Sequence, residues 1–119
     1  MKRLLCAALL AVAFAATAHA AFFDFEQITV DNTSGGVKLT AAKVAVSLEY
    51  VLCKVRTAEI SFLTVDPNAK TVTTTVGTLA EPGDQILITS REEALNLRAI
   101  RTGATSGQLD CSYRSKQGS

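Results

Sequence analysis

The chain has 119 residues, of which 48% are hydrophobic, with 12 basic and 11 acidic side chains. This length predicts a single domain. Because the charges nearly balance, the chain lacks the electrostatic footprint of a protein that binds nucleic acid or anionic lipid, so we expect no nucleic-acid partner and, after processing, no membrane partner.

The first 20 residues have the pattern of a cleaved secretory signal peptide. Lys2 and Arg3 precede an apolar run from Leu4 to Ala16, which is too short to anchor a protein in a bilayer, and a small-x-small motif follows at 18–20. We therefore expect a mature chain that begins at Ala21 and is secreted or periplasmic after bacterial export. The alternative, a retained amphipathic or membrane helix, lacks a charged stop-transfer flank.

Residues 21–119 predict one all-β domain, a small antiparallel β-sandwich of jelly-roll type, because polar and apolar positions alternate between frequent turn signals. In the first strand, Phe23 and Phe25 share one face, and Asp24 and Glu26 share the other.

The strongest strand pattern lies at 47–57, where both faces begin apolar as in a central strand. The segment 59–65 follows after a short bend, which predicts that it pairs antiparallel with 47–57. The β-branched run at 71–76 predicts an exposed strand at a sheet edge.

Near the C-terminus, the capping-box pattern that begins at Ser90 predicts one short helical turn over 91–96. Two further strands follow at 97–102 and 108–114, and the glycine-containing segment 103–107 predicts a hairpin loop between them.

The cysteines predict a disulfide. Cys6 falls in the leader, so Cys53 and Cys111 remain as an even pair in an exported chain. Cys53 is in phase with Val51, and Cys111 is in phase with Tyr113, so both sulfurs should face the core. The bond would join two strands or cross between the two sheets, and the alternative is a pair of buried free thiols.

The mature sequence contains few of the residue types that catalytic sites use. The only histidine, His19, lies in the leader, so the mature chain has no imidazole for acid–base catalysis, nucleophile activation or zinc binding. The nearest carboxylate pairs, Glu49 with Glu59 and Glu92 with Glu93, have no supporting glycosidase motif. We expect no enzymatic activity, no catalytic residue, no cofactor and no metal.

Five residues are candidates for ligand or partner contacts. Arg98 and Arg101, with Arg114 on a strand expected to be adjacent, predict a basic spot on one sheet face, and the alternative is cross-strand ion pairing. Thr73 and Thr75 on the predicted edge strand predict a contact with a partner chain or a second copy.

Six short segments resemble those of a known group of proteins. They are FEQITV at 25–30, LTAA at 39–42, TAEI at 57–60, VGTL at 76–79, EPGD at 81–84 and LRAIRTGATSG at 97–107. In them, and over nearly all of the mature chain, the sequence resembles small, mostly uncharacterised β-sandwich accessory proteins of tailed bacteriophages. The resemblance implies a compact accessory domain of a capsid or tail, with no catalytic residues.

The leading hypothesis is therefore an exported, non-enzymatic β-sandwich of the phage accessory type, which acts by binding a protein partner or by self-assembly. One alternative is a structural component of the virion, such as a capsid or tail accessory protein. A second alternative is a secreted carbohydrate-binding module or hydrolase. The sequence contains no tryptophan, so it has few aromatic side chains on which a sugar ring could stack.

Overall fold

The computed structural model describes residues 22–116, so the predicted signal peptide at 1–20 lies outside the described residues. The elements are β1 (Phe22–Val30), a 3-10 turn (Ala41–Lys43), β2 (Leu48–Arg56), β3 (Ile60–Leu63), β4 (Thr78–Ala80), β5 (Gln85–Ile88), α1 (Arg91–Asn96), β6 (Arg98–Arg101) and β7 (Gly107–Ser115). None of the helices between residues 22 and 116 has the length and apolar character needed to cross a bilayer.

The strands form two antiparallel sheets. Sheet 1 has the order β1-β7-β2-β5, and sheet 2 has the order β4-β3-β6. Val37 forms a single bridge with Ala99 of β6, at the position where a further strand of sheet 2 would lie. With this bridge counted as the second of eight strands, the sheets have the orders 1-8-3-6 and 2-7-4-5, which is jelly-roll topology. The predicted small all-β sandwich is confirmed.

The core lies between the sheets, and the two central strands of sheet 1 contribute alternate residues to it. Strand side chains alternate between the two faces, so every second residue of β7, and of β2 from Val51 onward, points inward. Burial of each large apolar side chain contributes about 1.5–3 kcal/mol. The buried residues of these two strands include Val51, Cys53, Val55, Leu109, Cys111 and Tyr113.

A disulfide joins Cys53 of β2 to Cys111 of β7, directly opposite each other in neighbouring strands. Their Cα atoms are 4.0 Å apart, the short spacing of a non-hydrogen-bonded antiparallel pair. Of the two arrangements that the sequence left open, the structure has the link between strands. A cross-link over 58 residues stabilises the fold by roughly 4 kcal/mol in the chain-entropy model.

Two predicted strand pairings are wrong. The segment 59–65 does not pair with β2, because Thr57 adopts a φ of 77° and the chain turns from sheet 1 into sheet 2. There β3 pairs with β4 and β6. The segment 103–107 likewise connects β6 of sheet 2 to β7 of sheet 1, so it is a crossover and not a hairpin loop. Alternation identified the strand faces but carried no information on their partners.

The predicted edge strand at 71–76 is also wrong, because this segment is a loop. The Thr73 hydroxyl accepts hydrogen bonds from the backbone N–H groups of Thr75, at 3.3 Å, and Val76, at 3.0 Å. Threonine side chains that bond the local backbone in this way compete with strand formation. The strand begins at Thr78, after Gly77 at a φ of 143°.

The predicted helical turn at 91–96 is confirmed. Ser90 is its N-cap, and the Ser90 hydroxyl accepts a hydrogen bond from the backbone N–H of Glu93 at 3.4 Å. This turn follows β5 and so lies beyond one end of an edge strand of sheet 1.

Candidate binding surface

The outward face of sheet 1 carries a continuous row of mostly apolar side chains. Phe25 lies opposite Ser112, Ser112 opposite Leu52, and Leu52 opposite Leu87, so the row crosses all four strands. We call these four residues the apolar row. Its two ends are solvent-exposed, with 52% of Phe25 and 61% of Leu87 accessible.

A second row extends the apolar half of this face. Phe23 lies opposite Arg114, which lies opposite Tyr50. The guanidinium of Arg114 is 4.8 Å from the centre of the Phe23 ring, and its Nε atom is 3.6 Å from a carboxylate oxygen of Glu49. At an exposed site such a cation–π contact is worth about 0.5–1 kcal/mol, so Arg114 is held against the exposed aromatic ring.

The other half of the face is polar. Gln27, Asp110, Lys54 and Gln85 follow one another across the strands, and we call them the polar row. The carboxylate of Asp110 forms an ion pair with Arg56 on β2. The outward face of sheet 1 therefore divides into an apolar half bordered by a charged and amide-bearing half.

Both edges of sheet 1 are open within residues 22–116, because β1 pairs only with β7 and β5 pairs only with β2. Since Cys53 and Cys111 are a non-hydrogen-bonded pair, the main chain of Cys111 faces β1, and that of Cys53 faces β5. By alternation, the N–H and C=O groups of Phe25, Gln27, Gln85 and Leu87 point to the free edges. The Phe25 N–H donates to Asp24 Oδ1 at 2.7 Å, on the side away from β7.

The inward face of β1 carries two acidic residues, Asp24 and Glu26, whose carboxylates accept hydrogen bonds from other parts of the chain. Lys43 Nζ lies 3.0 Å from Asp24 Oδ1, and this hydrogen bond holds the pKa of Asp24 below its usual value. Glu26 accepts hydrogen bonds from Thr40, at 3.0 Å from the backbone N–H and 2.6 Å from the hydroxyl, and from the hydroxyl of Tyr113. Burial, followed by the Glu26 contact, raises the pKa of Tyr113 far above its usual range.

The predicted basic spot is wrong as a single patch. Arg98 and Arg101 lie on β6 of sheet 2, whereas Arg114 lies on β7 of sheet 1. The Arg98 guanidinium donates to the Leu95 carbonyl at 3.0 Å, and that of Arg101 donates to the Ser106 hydroxyl at 3.5 Å. Of the three, Arg114 lies on the candidate binding surface, and contacts of the other two with a partner stay a prediction.

The remaining candidates are placed apart from this surface. Thr73 and Thr75 are exposed in the loop before β4, and their contact with a partner stays a prediction without the strand geometry that suggested it. Glu49 faces Arg114, whereas Glu59 accepts a hydrogen bond from the Thr102 hydroxyl at 2.8 Å. Over the range 22–116, no group of three or more His, Cys, Asp or Glu side chains is arranged to hold a metal ion.

Sequence reasoning missed the apolar row and the contacts of Asp24 and Glu26. The available signal was that Phe23 and Phe25 share one face of the first strand, and the structure shows that this face is exposed. Nothing in the sequence indicated that Leu52 and Leu87 would extend that row, since this depends on the register of four strands.

Comparison with known proteins adds a likeness of fold. No protein-family model matches the chain, and no curated protein matches it. A solved structure described as "Bacillus endospore appendages form a novel family of disulfide-linked pili" is similar with a TM-score of 0.46 and 13% sequence identity, covering 82% of this chain and 88% of that chain. A likeness at this level carries no information on function.

Proposed function

We propose that this chain is an exported, non-enzymatic β-sandwich that acts by binding or by assembly, with the outward face of sheet 1 as its contact surface. The observation that carries the proposal is the apolar row, whose ends, Phe25 and Leu87, are each more than half exposed. Contiguous exposed apolar surface bordered by polar residues is typical of protein interaction sites.

Export is supported by the cysteine pair and by the leader pattern. A disulfide between Cys53 and Cys111 requires an oxidising compartment to form and persist. The charged, apolar and small-x-small pattern of residues 1–20 supplies the route to such a compartment. Both features favour a secreted or periplasmic protein.

The phage accessory type is part of the same proposal and is supported by the resemblance. The FEQITV segment at 25–30 forms most of β1, which carries Phe25 and the open edge of sheet 1. In the alternative, in which the chain is a structural component of the virion, it would use this surface to dock on a capsid or tail. Mass spectrometry of purified virions tests this branch, and finding the processed chain only as a free exported protein would remove it.

The contact surface itself is tested in the native source with two lysine variants. Phe25→Lys introduces a charge into the apolar row, whereas Val46→Lys introduces the same charge at a residue that is 87% exposed and lies outside sheet 1. We expect the wild type and V46K to co-sediment with a partner or with further copies, and F25K to remain in the free fraction. The proposal would be overturned if the wild type and both variants all sediment as free, unassociated chains.

A further inference from the structure

We propose that a second copy of this chain binds at the edges of sheet 1, with β5 of one copy pairing antiparallel with β1 of the next. The inference rests on the proposed function, because it names the occupant of the same surface. It follows from three features of the two edges: strand direction, hydrogen-bonding alternation and side-chain rows.

Strand direction allows the pairing. Each neighbouring pair in sheet 1 is antiparallel, and the sheet has four strands, so its two edge strands run in opposite directions. A second copy displaced along the sheet without reversal therefore presents β1 antiparallel to β5 of the first copy. A sheet with an odd number of antiparallel strands would present a parallel edge instead.

The backbone groups also match. The free N–H and C=O groups of β5 belong to Gln85 and Leu87, and those of β1 include Phe25 and Gln27, as the alternation from the Cys53–Cys111 pair requires. All four residues also point their side chains to the outward face of sheet 1. The two edges can thus exchange ladder hydrogen bonds without either strand turning over. The Phe25 N–H would exchange its bond to Asp24 for one across the new interface.

The side-chain rows continue across the same junction. Extension of the apolar row sets Leu87 opposite Phe25 of the next copy, and extension of the polar row sets Gln85 opposite Gln27. Apolar residues then meet apolar residues and amides meet amides, which is the pattern of a stable cross-strand interface. The most exposed apolar residue of β5 covers an exposed phenylalanine of β1.

Two usual forms of edge protection are absent from both strands. The segments Phe22–Val30 and Gln85–Ile88 contain no proline, lysine or arginine, which are residues that commonly block edge pairing. The inward acids of β1, Asp24 and Glu26, are neutralised or hydrogen-bonded by Lys43, Thr40 and Tyr113 of the same copy. Asp24 is thus charge-paired and Glu26 is hydrogen-bonded within the same copy, at the positions where the two acids would lie opposite Ile88 and Ile86.

The acids do select against a symmetric β1-to-β1 contact. In a β1-to-β1 pair centred on Phe25, Asp24 would lie opposite Glu26 of the other copy, and a pair centred on Glu26 would set two Glu26 side chains opposite each other. Directly opposed like charges destabilise antiparallel pairs. β5 has no acidic residue, so the heterologous contact avoids this repulsion. A heterologous contact that does not close forms a linear assembly.

The test uses the oxidised mature chain and three single variants in analytical ultracentrifugation over a range of concentrations. We expect the wild type and the control Val46→Lys to associate, and Phe25→Lys and Leu87→Lys each to weaken association by about tenfold or more, because a lysine replaces the apolar contact between Leu87 and Phe25 of the next copy and disfavours edge pairing. Both positions are more than half exposed, so the lysines leave the core intact, and circular dichroism and intact mass check this.

Mixing the variants separates a heterologous contact from a symmetric one. F25K keeps an intact β5 edge and L87K keeps an intact β1 edge, so an equimolar mixture should form a one-to-one complex that grows no further. Self-association of L87K alone would overturn the β5-to-β1 contact. A wild type that stays monomeric at every concentration would also overturn it, and the proposed function would survive that result if the native-source assay still shows an F25K-sensitive partner.

Discussion

Sheet 1 and sheet 2 differ in strand length and in covalent support. Three strands of sheet 1, β1, β2 and β7, have nine residues each, whereas β3 and β6 of sheet 2 have four residues and β4 has three. The disulfide also lies entirely within sheet 1. The sheet with the exposed apolar row is therefore the better supported of the two, while the sheet of shorter strands covers the core.

Of the substitutions considered, removal of the disulfide should cause the largest loss of stability, because it removes the covalent support that only sheet 1 has. The double substitution Cys53→Ala with Cys111→Ala is expected to lower the free energy of unfolding by roughly 4 kcal/mol, because the unfolded chain regains the entropy of a 58-residue loop. Urea unfolding of the variant and of the oxidised wild type measures the difference. If the two proteins unfold at the same urea concentration, the link contributes nothing to the advantage of sheet 1.

A glycine substitution probes the entry to sheet 2. Gly77→Ala should destabilise the fold by roughly 2–3 kcal/mol, because the residue has a φ of 143° and a Cβ atom there would overlap Ser61 Oγ and lie 3.0 Å from the Phe62 carbonyl. Gly103→Ala is the matched control, since no atom lies within 4 Å of its Cβ position. Thermal unfolding compares the two, and equal melting temperatures would contradict the tight approach of this loop to β3.

The hydrogen bond from the Tyr113 hydroxyl to Glu26 joins β7 to β1 and should add to the stability of sheet 1. Tyr113→Phe should lower the free energy of unfolding by about 1.5 kcal/mol, because Glu26 loses one charge-assisted hydrogen bond. The folded pKa of Tyr113 is raised, so the folded state keeps this proton while the unfolded phenol ionises near pH 10. The stability that this proton supports is present below about pH 10 and is lost as the pH rises further.

The measurement is urea unfolding between neutral and alkaline pH. Y113F should lose stability less steeply above about pH 10 than the wild type does, because it has no phenol at this position. Tyr50→Phe, which removes a phenol from the outward face, should retain the slope that Tyr113 contributes. Identical alkaline slopes for Y113F and the wild type would exclude this role for Tyr113.

The smallest effect is expected at Asp24. Its pKa is lowered by the hydrogen bond from Lys43, so its contribution is present above the ordinary value of 3.8 and is lost as the pH falls through the lower folded pKa. Asp24→Asn should therefore differ slightly from the wild type at neutral pH, and the two should converge in acid. Urea unfolding of both proteins at neutral and at acidic pH measures the difference in their free energies of unfolding. If this difference is the same at both pH values, the carboxylate charge is not involved.

Local patterns predicted faces and turns well, because these depend on neighbouring residues. The phase of Cys53 with Val51 and the cap at Ser90 could both be predicted from a few positions, and both are confirmed. Strand partners depend on reversals such as that at Thr57, whose left-handed conformation is uncommon for a β-branched residue. The prediction of a strand at 71–76 was wrong because β-branched composition without an alternating apolar face does not define a strand.

The candidate surface was harder to predict for the same reason. The sequence places Phe23 and Phe25 on one face of a strand, but their exposure and the row to Leu87 depend on the register of three strand pairs. The Tyr113–Glu26 contact joins residues separated by 87 positions. Such contacts follow from topology, and no periodicity within a single strand encodes them.

The register of β1 against β7 has a mechanical consequence. Phe22 lies opposite Ser115, so the first and last strands begin and end at the same corner of the sandwich. Tension applied at these two points would load the backbone pairs between the strands one after another, and β1 would peel away at low force. The sulfur bridge would still hold β7 to β2, so the middle of the sheet would resist extension after its outer strand had detached.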